Sequence, residues 1–553
     1  MKTAAVMEKE PRAQEAIRRW GELKTERGQH ERDWEDIAKL IRPQRGGFTR
    51  SDHTTRDHDK PLSSEPIMAA SAFASGIYAG ITNPANRWCA LETPDDDLNK
   101  WQPMAEWNDL VTKRVFNSFA PSTASFYPAT FQAYSDISAF GQAAGYDEVD
   151  ELERKFIDVT MSLAEVVVSI DAHGRVDEAV RKYRLSGARA LKVFKREMLP
   201  PKLVEMAEKG DHSKVAFYTH VLRNMDMQTG RLGVGGKRWL SHTACEMGET
   251  LVRVKGYDDM PVYFPRWDVD SGHTYGTGPG YIALASTRVN HLMEGATIRA
   301  AQFAADPTWL APDRDVLPLN GRIRPGDVVY GGMTVSGQEV LKRAQTNTSI
   351  GLTVDERKHN VEAIKECFHY TLMSLNGRTG ITNDEVRIME EAKLRNWAPH
   401  ADRIMEEYAA RKVERRFKLL WRVGQLPPPP EGTPPGTGLR AKYQSAATMA
   451  MQASEGIAMR TFITDLTPLA QLSPKIAQRV ADRINEDDLV EAMHDASPML
   501  PAKMLRPREE ADALARERAQ QQQQADQLAQ LQAGAGALKD AAAAGADLQQ
   551  VLP

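Results

Sequence analysis

Cysteine is nearly missing. Cys89, Cys245 and Cys367 are scattered over 553 residues with no CxxC spacing, which excludes a disulfide framework and a thiolate zinc site and fits a reducing cytoplasm. No secretory leader is expected, since MKTAAVMEKEPRAQE has no apolar central region. Nor is a membrane span. The uncharged run at 66–86 is filled with Ala, Ser, Thr and Asn and stops at Pro84, whereas a spanning helix needs ~20 predominantly apolar residues. Its Gly76 and Gly80, four apart, predict instead a buried helix packed closely on a neighbour.

An excess of one charge is also lacking. Lys and Arg number 71 against 75 Asp and Glu, a net charge of −4. Tight nucleic-acid binding needs net phosphate neutralisation, so a chain dedicated to it is excluded, while a protein that surrounds duplex loosely is not. Nor does any motif ask for catalysis. In GVGGKR at 233–238, Arg238 follows Lys237 where a phosphate loop has Ser or Thr, and GTGPG at 276–280 meets Tyr281 where a dinucleotide fingerprint has its third glycine. There is no GxSxG and no HExxH, His242 with Cys245 is a lone pair of possible ligands, and Asp95 to Asp97 point in different directions. The expectation is no enzyme, no cofactor and no metal. At this length several modules are expected.

What the chain does have is organised around 264–304. The turn Tyr275-Gly276-Thr277-Gly278-Pro279-Gly280 forces a change of direction and feeds a charge-poor helix predicted over 281–304, roughly 36 Å long. Val289, Leu292, Ala296 and Ala300 recur at three and four residues, with Met293 and Phe303 nearby, and their small size suits packing against like helices. Arg288, His291, Arg299 and Gln302 form a polar stripe.

Before it, 11–42 reads as a helix with an interruption near Gly28, a Trp20 patch and a Trp34/Ile37/Ile41 patch, ending at Pro43. Residues 125–146 read as a helix with a Phe140-Gly141 end. The turn Asp171–Gly174 precedes an expected basic helical region with Arg181, Lys182, Arg184, Arg189, Lys192, Lys195 and Arg196, read as a solvated face. From 215 to 264, alternation predicts strands with turns at 230–236 and 256–260.

After it, Pro307, Pro312, Pro318 and Pro325, with Gly321, Gly326, Gly331 and Gly332, exclude long helices over 306–350. Thr353 with Glu356 forms a capping box before a helix with Val361, Ile364, Phe368, Leu372 and Leu375 inward; Thr382 with Glu385 starts another, to Asn396. A helix over 401–423 is expected to bury Met405, Ala409, Val413, Phe417 and Trp421. The spacer LPPPPEGTPPGTG follows, then a helical 440–510 and a low-complexity tail at 511–553.

Arg266 followed by Tyr275-Gly276-x-Gly278-Pro279 and a long helix resembles the head-to-tail connector (portal) proteins of short-tailed bacteriophages. Matching phrases stand in the same order elsewhere: Trp34, Pro43 and Phe48, the Ala/Gly helix with Pro84 and Trp88, Phe140-Gly141, and Gly424-x-Leu426-Pro427. The resemblance implies an α+β, mostly helical portal fold assembled as a ring, with wing (1–270), turn and first stem helix (271–305), small α/β clip (306–350), second stem helix (351–376), tunnel-loop region and second part of the wing (377–426), Pro-rich linker (427–439), helical crown (440–510) and tail (511–553). It implies a dodecameric DNA conduit at one capsid vertex, used for packaging, head–tail joining and ejection. The implied partners are double-stranded DNA, the major capsid protein, terminase, scaffolding protein and a tail adaptor, in the virion and, during assembly, in the host cytoplasm. Tyr275, Gly276, Gly278 and Pro279 become the turn into the stem, Arg288, His291, Arg299 and Arg378 candidates for lining the channel, and Asn376, Gly377, Arg378, Thr379 and Gly380 the tunnel loop. A nucleotide-using enzyme with an unrecognised site and a monomeric helical scaffold or adaptor are the rival readings; ATP hydrolysis and mass in solution separate them.

Overall fold

Pro11 brings a preset φ and no N–H to a first helical turn, where neither is a cost. Helix α1 (Pro11–Leu40) starts there and runs for 30 residues straight through Gly28, so the expected interruption does not occur. Its inward face carries Trp20 and Leu23, then Trp34, Ile37 and Ala38. Arg27 is buried between the two patches, held by Glu31 and by the carbonyls of Leu163 and Val166 at 2.7 and 2.8 Å. The computed structural model describes residues 10–49, 61–85, 87–150, 155–305, 309–310, 350–370, 399–434 and 437–443, with isolated pieces between 334 and 343 and between 458 and 527.

In chain order there follow α2 (Glu65–Ile81), β1 (Cys89–Glu92), α3 (Asp96–Lys100), α4 (Gln102–Asn117), α5 (Phe126–Phe140), β2 (Ala144–Asp150), β3 (Lys155–Met161), β4 (Val166–Ile170), β5 (Val176–Ser186), α6 (Gly187–Val193), α7 (Pro201–Glu208), β6 (Lys214–Arg223), β7 (Trp239–Cys245), β8 (Thr250–Tyr257) and β9 (Val262–Tyr263). Then come α8 (Pro279–Ile282), α9 (Leu284–Ala305), β10 (Trp309–Leu310), β11 (Lys342–Arg343), α10 (Ile350–Cys367), α11 (Arg411–Arg422) and β12 (Arg440–Tyr443). The chain divides into two compact units, Met1–Trp88 with Val115–Val423, and Cys89–Arg114 with Gly424–Pro553.

The first unit packs helices on two antiparallel sheets, of order β3-β2-β9 and β4-β5-β6-β7-β8. Helix α2, uncharged after Glu65 as expected, lies against α5, and Phe73, Ala74 and Ile77 are fully buried. The basic region after Asp171 is a strand first and a helix only from Gly187: Arg181, Lys182 and Arg184 lie on β5, which pairs antiparallel with Val166–Ile170 across the Asp171–Gly174 turn, while Arg189 and Lys192 lie on α6. The β-branched run Val166-Val167-Val168 needs a partner strand, and β5 supplies it. Both faces of this sheet are covered, so Val176 and Ala179 enter one core and Val180 another, and β5 lacks the alternation that marks a half-exposed strand. Arg181 is not simply solvated either, since it binds Glu165 at 2.8 Å and lies over Tyr146 and Tyr183.

The helix expected over 401–423 forms, but it is turned. Ala409 and Val413 are buried, while Trp421 is exposed and Lys412, Arg415 and Arg416 are the cations driven inward. Lys412 and Arg416 share Asp158 at 2.5 and 2.8 Å; Arg415 takes Asp147 at 2.5 Å, and the Tyr263 hydroxyl donates to the other oxygen of Asp147 at 2.8 Å. The Arg416 guanidinium sits 3.8 Å from the centroid of Phe156 and 4.8 Å from that of Phe119. Burial alone would raise the Asp158 pKa, but the two cations beside it outweigh burial and hold it below the ordinary carboxylate value. Helix α10 also differs from expectation. It is already under way at Thr353, three residues past its start at Ile350, and it ends at Cys367, before His369 with a φ of 49°.

In the second unit β1 pairs antiparallel with β12, so the segment after 440 opens as a strand rather than a helix. The acidic triplet is a helix start: the Asp95 carboxylate accepts from the Asp97 N–H at 3.0 Å. The Trp107 indole donates to the Pro427 carbonyl at 3.1 Å, which ties down the start of the proline-rich spacer. Within 306–350, the described strands β10 and β11 pair with each other. The helix expected at 382–396, most of the expected crown and the end of the tail lie outside the described residues.

Asp158→Asn leaves two buried cations without a counter-charge, so it should cost about 3–5 kcal/mol in a urea unfolding measurement. The pH dependence has a definite sign. A carboxylate whose folded pKa is depressed stabilises above its unfolded value, so this contribution is lost as pH falls below about 4. The variant should lack that part of the acid limb.

Candidate functional site

The turn into the long helix is built on the end of α5. Gly141 takes the left-handed conformation, φ 74°, and its N–H reaches Ile137, which terminates α5. Its carbonyl then receives the Trp267 N–H at 2.7 Å. Asp268 and Thr277 exchange backbone hydrogen bonds at 3.2 and 2.8 Å, closing a hairpin over 268–277, and the Gln142 side-chain oxygen accepts the Gly276 N–H at 2.8 Å. The backbones touch. A Cβ on Gly141 would overlap the Thr277 carbonyl carbon, and one on Gly280 would overlap the backbone of Ala139. Pro279 occupies the first turn of α8, as its fixed φ suits.

Tyr275 anchors the other side of the turn. It is buried against Trp34, His30 and Phe264, with ring centroids 5.3, 5.7 and 6.1 Å away, and burial pushes its phenol up to about 12. Arg266 is buried beneath the turn. It donates to Glu407 at 2.6 Å, to the Gly174 carbonyl at 2.8 Å and to the Thr274 carbonyl at 3.4 Å.

The predicted helix over 281–304 is observed as two pieces, α8 and α9, with a turn at Ala283 between them. Its polar side faces the rest of the unit. Thr287 and Asn290 are buried, Glu294 binds Arg357 of α10 at 3.1 Å, and Arg288 binds Asp33 of α1 at 2.8 Å and Asp36 through its Nε at 2.9 Å. His291 is half-buried on this side. The opposite side is open. Ile282, Val289, Leu292 and Phe303 are 65%, 44%, 69% and 50% exposed, and Ala285, Ala296 and Arg299 lie exposed between them. Numbered 282, 285, 289, 292, 296, 299 and 303, these positions step by three and four residues in strict alternation. That is the spacing of a helix seam made for another helix.

Of the four candidate cations, then, Arg299 stands on the open stripe, while Arg288 is drawn into a carboxylate pair on α1. Arg378, with Asn376, Gly377, Thr379 and Gly380, lies outside the described residues. Gln142, Asp33 and Asp36 were not singled out in the sequence. Each is 130 or more positions from its partner, and only folding brings them together.

The tight backbone contact gives a discriminating pair of substitutions. Gly280→Ala places a methyl group against the Ala139 backbone, which cannot give way as a flexible side chain would; a loss of about 1–3 kcal/mol is expected in thermal unfolding. Gly295→Ala, in the middle of α9 with the tip of Leu62 as its nearest contact, should be neutral or gain up to about 1 kcal/mol.

Comparison with known proteins agrees along nearly the whole chain. The family model described as "Bacteriophage head to tail connecting protein" matches residues 13–505. The portal protein of Salmonella phage epsilon15 is 25% identical over 537 residues, covering 95% of this chain and 94% of its own length. A probable portal protein of Bordetella phage BPP-1 is 24% identical over 532 residues, covering 94% and 93%. Among solved structures, a chain in the virion of a native gene transfer agent particle aligns over 78% of this chain and 89% of its own at 11% identity, with a TM-score of 0.35. Spanning the first buried residues of α1, the turn at 275–280, the long helix and the proline-rich spacer alike, the match leaves one assignment: this chain belongs to the bacteriophage head-to-tail connecting protein family.

Proposed function

We propose that this protein is the portal subunit of a short-tailed phage, and that copies of it close into a dodecameric ring at one capsid vertex through which duplex DNA enters on packaging and leaves on ejection. The observation that carries this reading is the open stripe on α8 and α9. A lone chain gains nothing from leaving Ile282, Val289, Leu292 and Phe303 in water, and a seam of alternating three- and four-residue steps fits a neighbouring long helix. Copies joined by one such heterologous contact, repeated by rotation, close into a ring. The capsid protein, terminase, scaffolding protein and tail adaptor are its partners in this reading, in the host cytoplasm during assembly and in the virion afterwards.

Charge suits a conduit. Each phosphate contact adds to the force that holds duplex in place, so sliding needs few of them. Arg288 is offset by Asp33 and Asp36, which leaves Arg299 and the tunnel-loop residue Arg378 as the proposed channel cations.

Val289→Glu with Leu292→Glu should abolish ring assembly in native mass spectrometry at micromolar protein. The unfolding midpoint of the free chain should stay within about 0.5 kcal/mol of wild type, because both positions are exposed. Intact rings in that variant would overturn the reading of the stripe.

Arg299→Glu and Arg378→Ala should each leave rings and proheads in place and change the amount of DNA packaged or retained. Arg288→Glu differs in kind: it sets a third carboxylate beside Asp33 and Asp36, so it should lower stability before it affects DNA. Wild-type packaging and retention in both the Arg299 and the Arg378 variants would remove these two residues from the channel.

A further inference from the structure

The helix that returns through the first unit contains a wide turn. Residues 399–404 are α-helical, Met405–Ala410 form a π-helical turn, and α11 continues as α-helix. A π-turn holds one residue more than the α-helix needs, and such turns persist where the surroundings fix both flanks. Here both flanks are fixed. Downstream, Lys412, Arg415 and Arg416 are pinned to Asp158 and Asp147. Upstream, the His400 ring stacks on Trp267, centroids 4.7 Å apart and planes 21° apart, with Nδ1 3.2 Å from the Trp267 carbonyl oxygen.

Inside the turn, Glu407 closes on Arg266. One carboxylate oxygen takes the guanidinium at 2.6 Å, and the other takes the Arg266 backbone N–H at 2.9 Å. Arg266 and Trp267 are consecutive, and Trp267 is hydrogen-bonded to Gly141 at the base of the turn into the stem. One two-residue stretch of backbone therefore meets the helix on both sides of its surplus residue. Tyr408, buried in the same turn and hydrogen-bonded to Thr130 at 2.9 Å, marks where the downstream register begins.

We propose that the π-turn is a two-register joint and that the Glu407–Arg266 pair is its latch. With the latch closed, the surplus residue stays in the turn and His400 stays on Trp267. With it open, the turn relaxes to α-helix and 399–404 moves by one residue, about 1.5 Å along and 100° around the axis, while α11 remains pinned. Relaxation strips His400 from Trp267, so the register of this helix and the seating of the turn into the stem are coupled. The inference concerns the single chain and does not rest on ring closure.

Hydrogen exchange on the full-length protein tests it. Glu407→Gln should speed exchange at 399–404 by about tenfold or more and leave 411–422 near wild type. Deleting Glu406, an exposed residue of the turn, removes the surplus residue and lets a plain α-helix satisfy both anchors; combined with Glu407→Gln it should return 399–404 to the wild-type rate. Three results would overturn the joint: unchanged exchange in Glu407→Gln, acceleration spread equally over 399–422, or acceleration that survives the deletion. Native mass spectrometry on the same samples keeps ring formation apart, since absence of rings in the wild-type sample alongside the expected exchange pattern would count against the portal reading alone.

Discussion

Backbone meets backbone where the chain leaves α5 and where it enters the long helix. Gly141 lies against Thr277, and Gly280 lies against Ala139, at distances no Cβ would allow. Nothing softer than two peptide planes separates these segments, so the direction in which α8 and α9 leave the unit is fixed by α5. That helix is itself held by the core around Phe73, Tyr134 and Phe140. A long helix amplifies any error at its base, so a rigid contact belongs there. Tyr275, wedged among Trp34, His30 and Phe264, braces the turn from the α1 side.

A second fixed point lies in the buried charges of α11. Five ionised groups taken out of water are costly unless each meets a counter-charge in good geometry. Asp158 takes two cations, and Asp147 takes Arg415 with the Tyr263 hydroxyl, whose own pKa burial and the neighbouring Asp147 carboxylate drive far up. Such a cluster tolerates only one seating of the helix against β2, β3 and β9, which makes it a device for register more than for raw stability. Arg27, paired with Glu31 and two carbonyls, does the same for α1.

The long helix then divides its faces against ordinary expectation. The side with Thr287, Asn290, Glu294 and Arg288 packs within the chain, and the apolar side is open. In a protein that worked alone this would be a solubility fault. In the proposed ring, side-by-side packing consumes the apolar stripe. On the polar side, Arg288 finds Asp33 and Asp36, and Glu294 finds Arg357, within the chain.

Much of this was legible in the sequence by itself. The uncharged helix at 66–81, the end of α5 at Phe140-Gly141, the strands from 215 and the turn at 275–280 rest on local periodicity and on Gly and Pro, which act within a few residues. The family could be identified from the order of such phrases. Tertiary structure alone decided the rest. Val176, Ala179 and Val180 have helical spacing, yet β5 is a strand, because Val166–Val168 across the turn claims it and both sheet faces are covered. Nothing local to Lys412, Arg415 and Arg416 marks them as buried; Asp147 and Asp158, more than 250 positions earlier, draw them inward. Arg288 read as a lumen charge until α1 brought it two carboxylates. A sequence records which groups carry charge, but the energy of a charge depends on what folding places beside it and on the water it removes.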